Sequence, residues 1–282
     1  MIPTRIPSGR HDGDPAGAFG RRRCILVGMT EPLAVERWGR GRRLALAHGF
    51  TQNARCWGLL IPDLATDHEV IGVDLPGHGR TAPVHDDVDL DTAAHLLVDT
   101  TGPAVLVGYS MGGRIALHAA VNHPESVDAL VVVGATGGID SPEERAARPR
   151  ADDDQAERLE RVGLAAFLEQ WLANPLFAGL GPDAAAVDAR LTNRPEGLAA
   201  TLRHRGTGQQ RPLWPELGRV AVPTLVIAGA GDAKFVALGE RLVASLPQAS
   251  LAVLPGTHAV HLESPTATAD RIRSFVEGLD GA

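Results

Sequence analysis

The segment Gly108-Tyr109-Ser110-Met111-Gly112-Gly113 constrains this chain more than any other. It follows the apolar run Ala104-Val105-Leu106-Val107 and precedes a second apolar run, Ile115 to Val121. Gly-x-Ser-x-Gly between a buried strand and a helix sets a serine on a turn so tight that its own backbone is strained. Side chains two residues to either side would collide there. The pattern predicts strand, elbow and helix, with Ser110 presented at the end of a parallel sheet.

A serine hydroxyl is a poor nucleophile or base until an imidazole takes its proton and a carboxylate fixes that imidazole's tautomer. Behind such an elbow the acid and then the histidine come later in the chain, each at the end of a further strand. Pro223 to Gly231 reads as a buried strand and glycine-rich turn that presents Asp232, and Leu251 to Leu254 as another strand that leads to His258. Ser110, Asp232 and His258 are the expected triad. His261 is the alternative base. Asp140 or Asp128 is the alternative acid, in which case Asp232 is an ordinary turn aspartate. No zinc-ligand spacing links the histidines, and Cys24 and Cys56 make neither a metal motif nor a disulfide framework, so no metal is expected.

Leu44-Ala45-Leu46-Ala47 runs into His48-Gly49-Phe50, a turn of the kind that supplies an oxyanion donor. The backbone N–H groups of Phe50 and Met111 are the expected pair, and losing one such donor costs about 3 kcal/mol. His48 reads as a structural hydrogen-bonding residue.

Short apolar runs alternate with helical patterns along most of the chain, which argues for a parallel sheet wrapped by helices on both faces. Leu33 to Trp38 and Arg43 to Ala47 read as strands joined by a Gly-Arg-Gly turn, followed by a helix over Ala54 to Leu64 and a strand over Val70 to Val73. Leu90 to Val98 reads as a helix and Val127 to Val133 as the strand after the elbow helix. Between Gly137 and Pro223 the alternation stops. Ser141 to His204 is charged, alanine-rich and helical in pattern, with Ser141-Pro142-Glu143-Glu144 as a helix start. The expected organisation is a core of residues 31–137 and 213–282 with a helical cap over residues 138–212.

The 282 residues suffice for one large domain with an insertion, and a net charge of -7 without a basic stripe excludes nucleic acid as the main partner. Lys234 is the one lysine among 27 basic residues, so most arginines read as solvated helix surface unless something else singles them out. Residues 1–30, rich in Gly, Pro and Arg, read as a disordered extension or a misassigned start. The apolar run Cys24 to Val27 is too short for a signal-peptide core or a membrane span, and a cytoplasmic location is expected. The oligomeric state is left open.

From His48 onward the chain resembles the α/β-hydrolase superfamily, and within it the MenH-type 2-succinyl-6-hydroxy-2,4-cyclohexadiene-1-carboxylate synthases. Less generic segments carry the narrower resemblance: Gly108 to Arg114, Glu144 to Arg150, Trp171 with Pro175 and Phe177, Arg190 with Asn193, and Asp232-Ala233-Lys234-Phe235. Thr51 departs from it, standing where some members have serine. The resemblance implies an α/β-hydrolase fold, a mostly parallel sheet flanked by helices with a helical cap insertion, and no organic cofactor. It implies loss of pyruvate from a small tricarboxylate substrate, with the triad removing a proton. Tyr109, Arg114, Arg148, Trp171 and Arg190 match substrate-binding positions of that family, and arginine suits carboxylates because its fork donates two charge-assisted hydrogen bonds in fixed geometry. Two other functions compete: a serine hydrolase of carboxylic esters, lactones or C–C bonds working through an acyl-enzyme, and a non-enzymatic ligand receptor on the same fold.

Overall fold

The computed structural model describes residues 32–279, so the extension expected at residues 1–30 lies outside the described residues. The first half of the chain gives β1 (Val35–Gly39), β2 (Arg42–Ala47), α1 (Leu60–Leu64), β3 (His68–Val73), α2 (Leu90–Thr101), β4 (Ala104–Tyr109), α3 (Met111–Asn122) and β5 (Val127–Val133). The chain then leaves the sheet for α4 (Pro142–Val162), α5 (Leu164–Leu172), α6 (Pro182–Ala185), α7 (Val187–Arg190) and α8 (Pro195–Arg205). It returns through β6 (Thr224–Gly229), α9 (Ala233–Ser245), β7 (Ala249–Leu254), α10 (Val260–Glu263) and α11 (Pro265–Gly278).

The strands form one sheet in the order β1-β3-β2-β4-β5-β6-β7, parallel except for β1. This is the α/β-hydrolase arrangement anticipated above. Every residue of β4 and β6 is buried, as a parallel strand covered on both faces requires. Leu44, Leu46, Val105, Val107, Val131 and Val133 share one core with Trp57 of the turn before α1, Leu60 and Leu64 of α1, and Ile272 and Val276 of α11. On the sheet, α3 packs against β4 and β5, and α9 against β6 and β7.

The strand pairing adds one local detail and one local expectation changes. The Gly39-Arg40-Gly41 turn exists, but the strands it joins do not pair with each other, because β3 lies between them, antiparallel to β1 and parallel to β2. The burial explains the order: β2 ends in four consecutive buried residues and belongs inside the sheet, whereas β1 is only partly buried and suits an edge. The helix expected over Ala54 to Leu64 is confined to Leu60–Leu64. Pro62 has no N–H to bond one turn back, so the helix must begin within a turn of it, and Gly58, at φ 54°, breaks the approach.

The segment between β5 and β6 is helical among the described residues, as its pattern predicted. Ser141 caps α4 by accepting a hydrogen bond from the Glu144 N–H. A second, smaller apolar cluster of Ala156, Leu159, Leu164, Phe167, Leu168, Leu198 and Leu202 binds α4, α5 and α8 together. None of the described helices is long and apolar enough to cross a membrane.

Candidate active site

Ser110 sits between β4 and α3 at φ 51°, a left-handed backbone that a non-glycine residue adopts only when its surroundings hold it there. The neighbouring glycines are required by contact. A Cβ on Gly112 would lie 1.9 Å from the Ala47 carbonyl oxygen, and one on Gly108 would lie 2.5 Å from that of Gly112. The close approach seats the start of α3 against the end of β2, where the Gly112 N–H donates to the His48 carbonyl at 3.0 Å.

The Ser110 hydroxyl donates to His258 Nε2 at 3.1 Å, and His258 Nδ1–H donates to Asp232 Oδ2 at 3.1 Å. The carboxylate can only accept, which fixes the proton on Nδ1 and leaves Nε2 free as the base. Asp232 also caps α9 by accepting from the Phe235 N–H at 3.2 Å. Burial acts to raise the Asp232 carboxyl, but the bonds from His258 and Phe235 and the nearby positive charges outweigh it and hold the carboxyl below its ordinary range. The rivals stand elsewhere. His261 is fully buried against the Tyr109 ring, 4.1 Å between centroids, with neither ring nitrogen hydrogen-bonded among the described residues. Asp140 is paired with Arg241, and Asp128 is exposed at the start of β5.

Among the described residues neither the Phe50 N–H nor the Met111 N–H has an acceptor. For Met111 this follows from its position, since the first N–H groups of a helix have no partner inside it. The Phe50 turn is shaped by Gln52, whose side-chain oxygen accepts from the Gly49 N–H at 2.9 Å. His48 behaves as a structural residue: its Nε2 accepts from the Leu75 N–H at 3.1 Å, and burial pushes its pKa down, keeping it neutral.

A cavity of about 930 Å³ opens over the serine. Phe50, Tyr109, Ser110, Met111, Arg114, Arg148, Trp171, Arg190 and His258 all line it, and Asp232 stands behind His258. Phe50, Trp171 and Phe177 of the lining form a chain of aromatic contacts that Phe167 joins. The lining also carries charge. Arg190 is 2% exposed, donates through Nε to the Ala185 carbonyl at 2.7 Å and through Nη1 to the Thr51 hydroxyl, and has no carboxylate partner among the described residues. Arg114 spends Nη1 and Nη2 on the carbonyls of Gly206 and Arg205 at the C-terminal end of α8. Burial lowers its pKa to about 10, so it remains a cation at neutral pH. Arg148 is half exposed and bonded through Nε to Asp152 at 2.9 Å.

Sequence reasoning missed several residues of this cavity. Asp152 is buried where it faces Arg148, one turn along α4, and the i,i+4 spacing of opposite charges was the available signal. Arg205 is fully buried in the wall, holding the Pro76 carbonyl at 3.1 Å and the Thr201 hydroxyl at 2.8 Å. Nothing in the sequence separates it from the surface arginines around it.

A model of the alpha/beta hydrolase family matches residues 44–271. The 2-succinyl-6-hydroxy-2,4-cyclohexadiene-1-carboxylate synthase of Serratia proteamaculans is 34% identical over 237 residues, 81% of this chain and 91% of its own. Among solved structures, MenH from S. aureus superposes with a TM-score of 0.81 at 29% identity, covering 87% of this chain and 98% of its own. A thermophilic esterase from Thermogutta terrifontis, with malate bound, reaches 0.73 at 26% identity over 88% of this chain and 93% of its own.

Proposed function

The chain belongs to the alpha/beta hydrolase family, and from that premise we propose that it eliminates pyruvate from 2-succinyl-5-enolpyruvyl-6-hydroxy-3-cyclohexene-1-carboxylate. The product is 2-succinyl-6-hydroxy-2,4-cyclohexadiene-1-carboxylate, an intermediate of menaquinone biosynthesis. The names of relatives at 30–34% identity support this substrate.

The observation that carries the reading is Arg190. A cation buried without an anion is costly, and leaving it so over a cavity makes sense when the ligand supplies the carboxylate. A neutral ester offers no such compensation. Arg114 and Arg148 add positive charge on the same cavity, and the tricarboxylate substrate has a group for each of the three arginines.

In the proposed reaction Ser110 Oγ takes the proton from the ring carbon beside the succinyl ketone while passing its own to His258 Nε2, and Asp232 stabilises the imidazolium that results. The electron pair left on carbon moves to the ketone oxygen, where the N–H groups of Phe50 and Met111 hold the enolate. Its return shifts the ring double bond and breaks the bond to the enolpyruvyl oxygen. The departing enolpyruvate takes a proton on carbon and becomes pyruvate, so the ring loses one proton and the leaving group gains one. No acyl-enzyme forms. Residues 138–212 serve as the cap that carries Arg148, Trp171 and Arg190 over residues 31–137 and 213–282.

The same serine, donors and base would also suit ester hydrolysis through an acyl-enzyme, and the likeness to a malate-bound esterase favours an anionic ester as that substrate. Pyruvate release separates the two. The proposal expects release from freshly generated substrate far above its spontaneous decay, abolished in Ser110→Ala and weakened at the KM level in Arg190→Lys. Release at the background rate, beside rapid ester cleavage, would overturn it.

A further inference from the structure

His258 is oriented at both ring nitrogens, yet neither bond holds the backbone that carries it. Gly231 donates to the Gly256 carbonyl two residues before His258 at 2.8 Å, and a residue outside the triad bonds the position immediately before it. Glu263, the last residue of α10, accepts from the Thr257 N–H through Oε2 at 2.6 Å and from the Thr257 hydroxyl through Oε1 at 2.5 Å. The hydroxyl also lies 3.3 Å from the Leu176 carbonyl, but it has one proton and the carboxylate is nearer. Both oxygens of one charged group are thus committed to the residue immediately before His258.

The surroundings leave this carboxylate little freedom. Gly256, at φ 136°, adopts a backbone open to glycine, and a Cβ there would lie 3.0 Å from Oε2. A Cβ on Gly179 would lie 2.4 Å from the same oxygen. Glu263 has no basic partner among the described residues, so it is not half of an ion pair. Charge-assisted bonds to an N–H and a hydroxyl are shorter and stronger than neutral ones, which suits a group that fixes a loop.

We propose that Glu263 is a positioning residue for His258: by clamping Thr257 at two atoms it sets the distance between His258 Nε2 and Ser110 Oγ. The proposal rests on Ser110, His258 and Asp232 acting as a triad and is independent of the substrate assigned above.

The test is the rate at which a fluorophosphonate labels Ser110, followed across pH in wild type, Glu263→Gln, Thr257→Val and Thr257→Ser, with Ser110→Ala as the blank. Displacing a reacting group by about an ångström costs up to about 100-fold, so Glu263→Gln and Thr257→Val should lower the plateau rate by about 10- to 100-fold without moving the acid midpoint. Thr257→Ser, which keeps the hydroxyl, should label nearly as fast as wild type. With substrate, the loss should appear in kcat and leave KM unchanged. A wild-type plateau in Glu263→Gln, an equal loss in the serine and valine variants, or a shifted midpoint at an unchanged plateau would overturn the proposal. Should Glu263→Gln fail to fold, the serine and valine pair decides alone. Wild type labelled no faster than Ser110→Ala would overturn the triad and this proposal together, whereas fast labelling without pyruvate release would overturn only the substrate.

Discussion

The Arg190 guanidinium donates to the hydroxyl of Thr51, a buried threonine held at φ 67°. Thr51 follows Phe50, whose N–H is the proposed oxyanion donor, and Arg190 ends α7, so this hydrogen bond, with those from Asn193 Nδ2 to the Thr51 carbonyl and from Asn53 Nδ2 to the Ala189 carbonyl, joins the helical insertion to the turn beside the serine. A β-branched residue at positive φ is a strained choice that persists when its contacts demand it.

Thr51→Val removes the acceptor at nearly constant shape and strands a buried Arg190 N–H. It should cost about 1–3 kcal/mol of stability, and Thr51→Ser much less, in chemical denaturation. Equal stability of the valine and serine variants would show that the bond contributes nothing.

Asp232→Asn should keep the fold, because an amide oxygen can still cap α9, yet lose most activity. The amide can donate to His258 Nδ1 and so favour the tautomer with its proton on Nε2, which faces the serine. In serine triads the equivalent change lowers kcat by roughly ten-thousand-fold. Turnover within a few-fold of wild type would remove Asp232 from the mechanism.

Stability should fall on mild acidification. Burial drives His48 and His78 below their ordinary pKa and brings His261 to about 3, with the charges of His258 and Arg190 adding to the last. Each stays neutral when folded and takes a proton below about pH 6.5 when unfolded, so stability is full above that pH and is lost below it at about 1.4 kcal/mol per pH unit per histidine. Asp91 and Asp232, held low by hydrogen bonds and nearby cations, begin to cost stability only below about pH 4, so the window above it reports the histidines. Urea unfolding between pH 7 and 5 checks this, and His261→Phe should flatten the slope. An unchanged slope in that variant would contradict the account of His261.

Gly112→Ala should abolish folding of the elbow. Its Cβ would fall 1.9 Å from a strand carbonyl that cannot move without breaking β2 from β4. Soluble Gly112→Ala protein with a wild-type melting temperature would refute the close-approach argument.

Much of the candidate site's geometry was legible in the sequence because its parts are bound to local chemistry. An elbow serine needs glycine neighbours, and apolar strands that end in Asp232 and near His258 read plainly. The pairing order of β1, β2 and β3 was not legible, since a turn between two strands does not say whether they pair and only burial over the whole sheet decides. The helix expected over Ala54 to Leu64 is shortened to Leu60–Leu64 because Pro62 has no N–H to bond a turn back. Arg205 and Glu263 were invisible for another reason: the Pro76 carbonyl for one and Thr257 for the other are brought to them by the fold, at separations that no residue pattern encodes.

The most direct test of the mechanism is single-turnover pyruvate release from substrate carrying deuterium on the ring carbon beside the succinyl ketone. If Ser110 acts as a base there, release slows relative to the protium substrate and no mass adduct accumulates on Ser110. An isotope effect of unity together with a covalent serine adduct would contradict proton abstraction and make the triad a nucleophilic one.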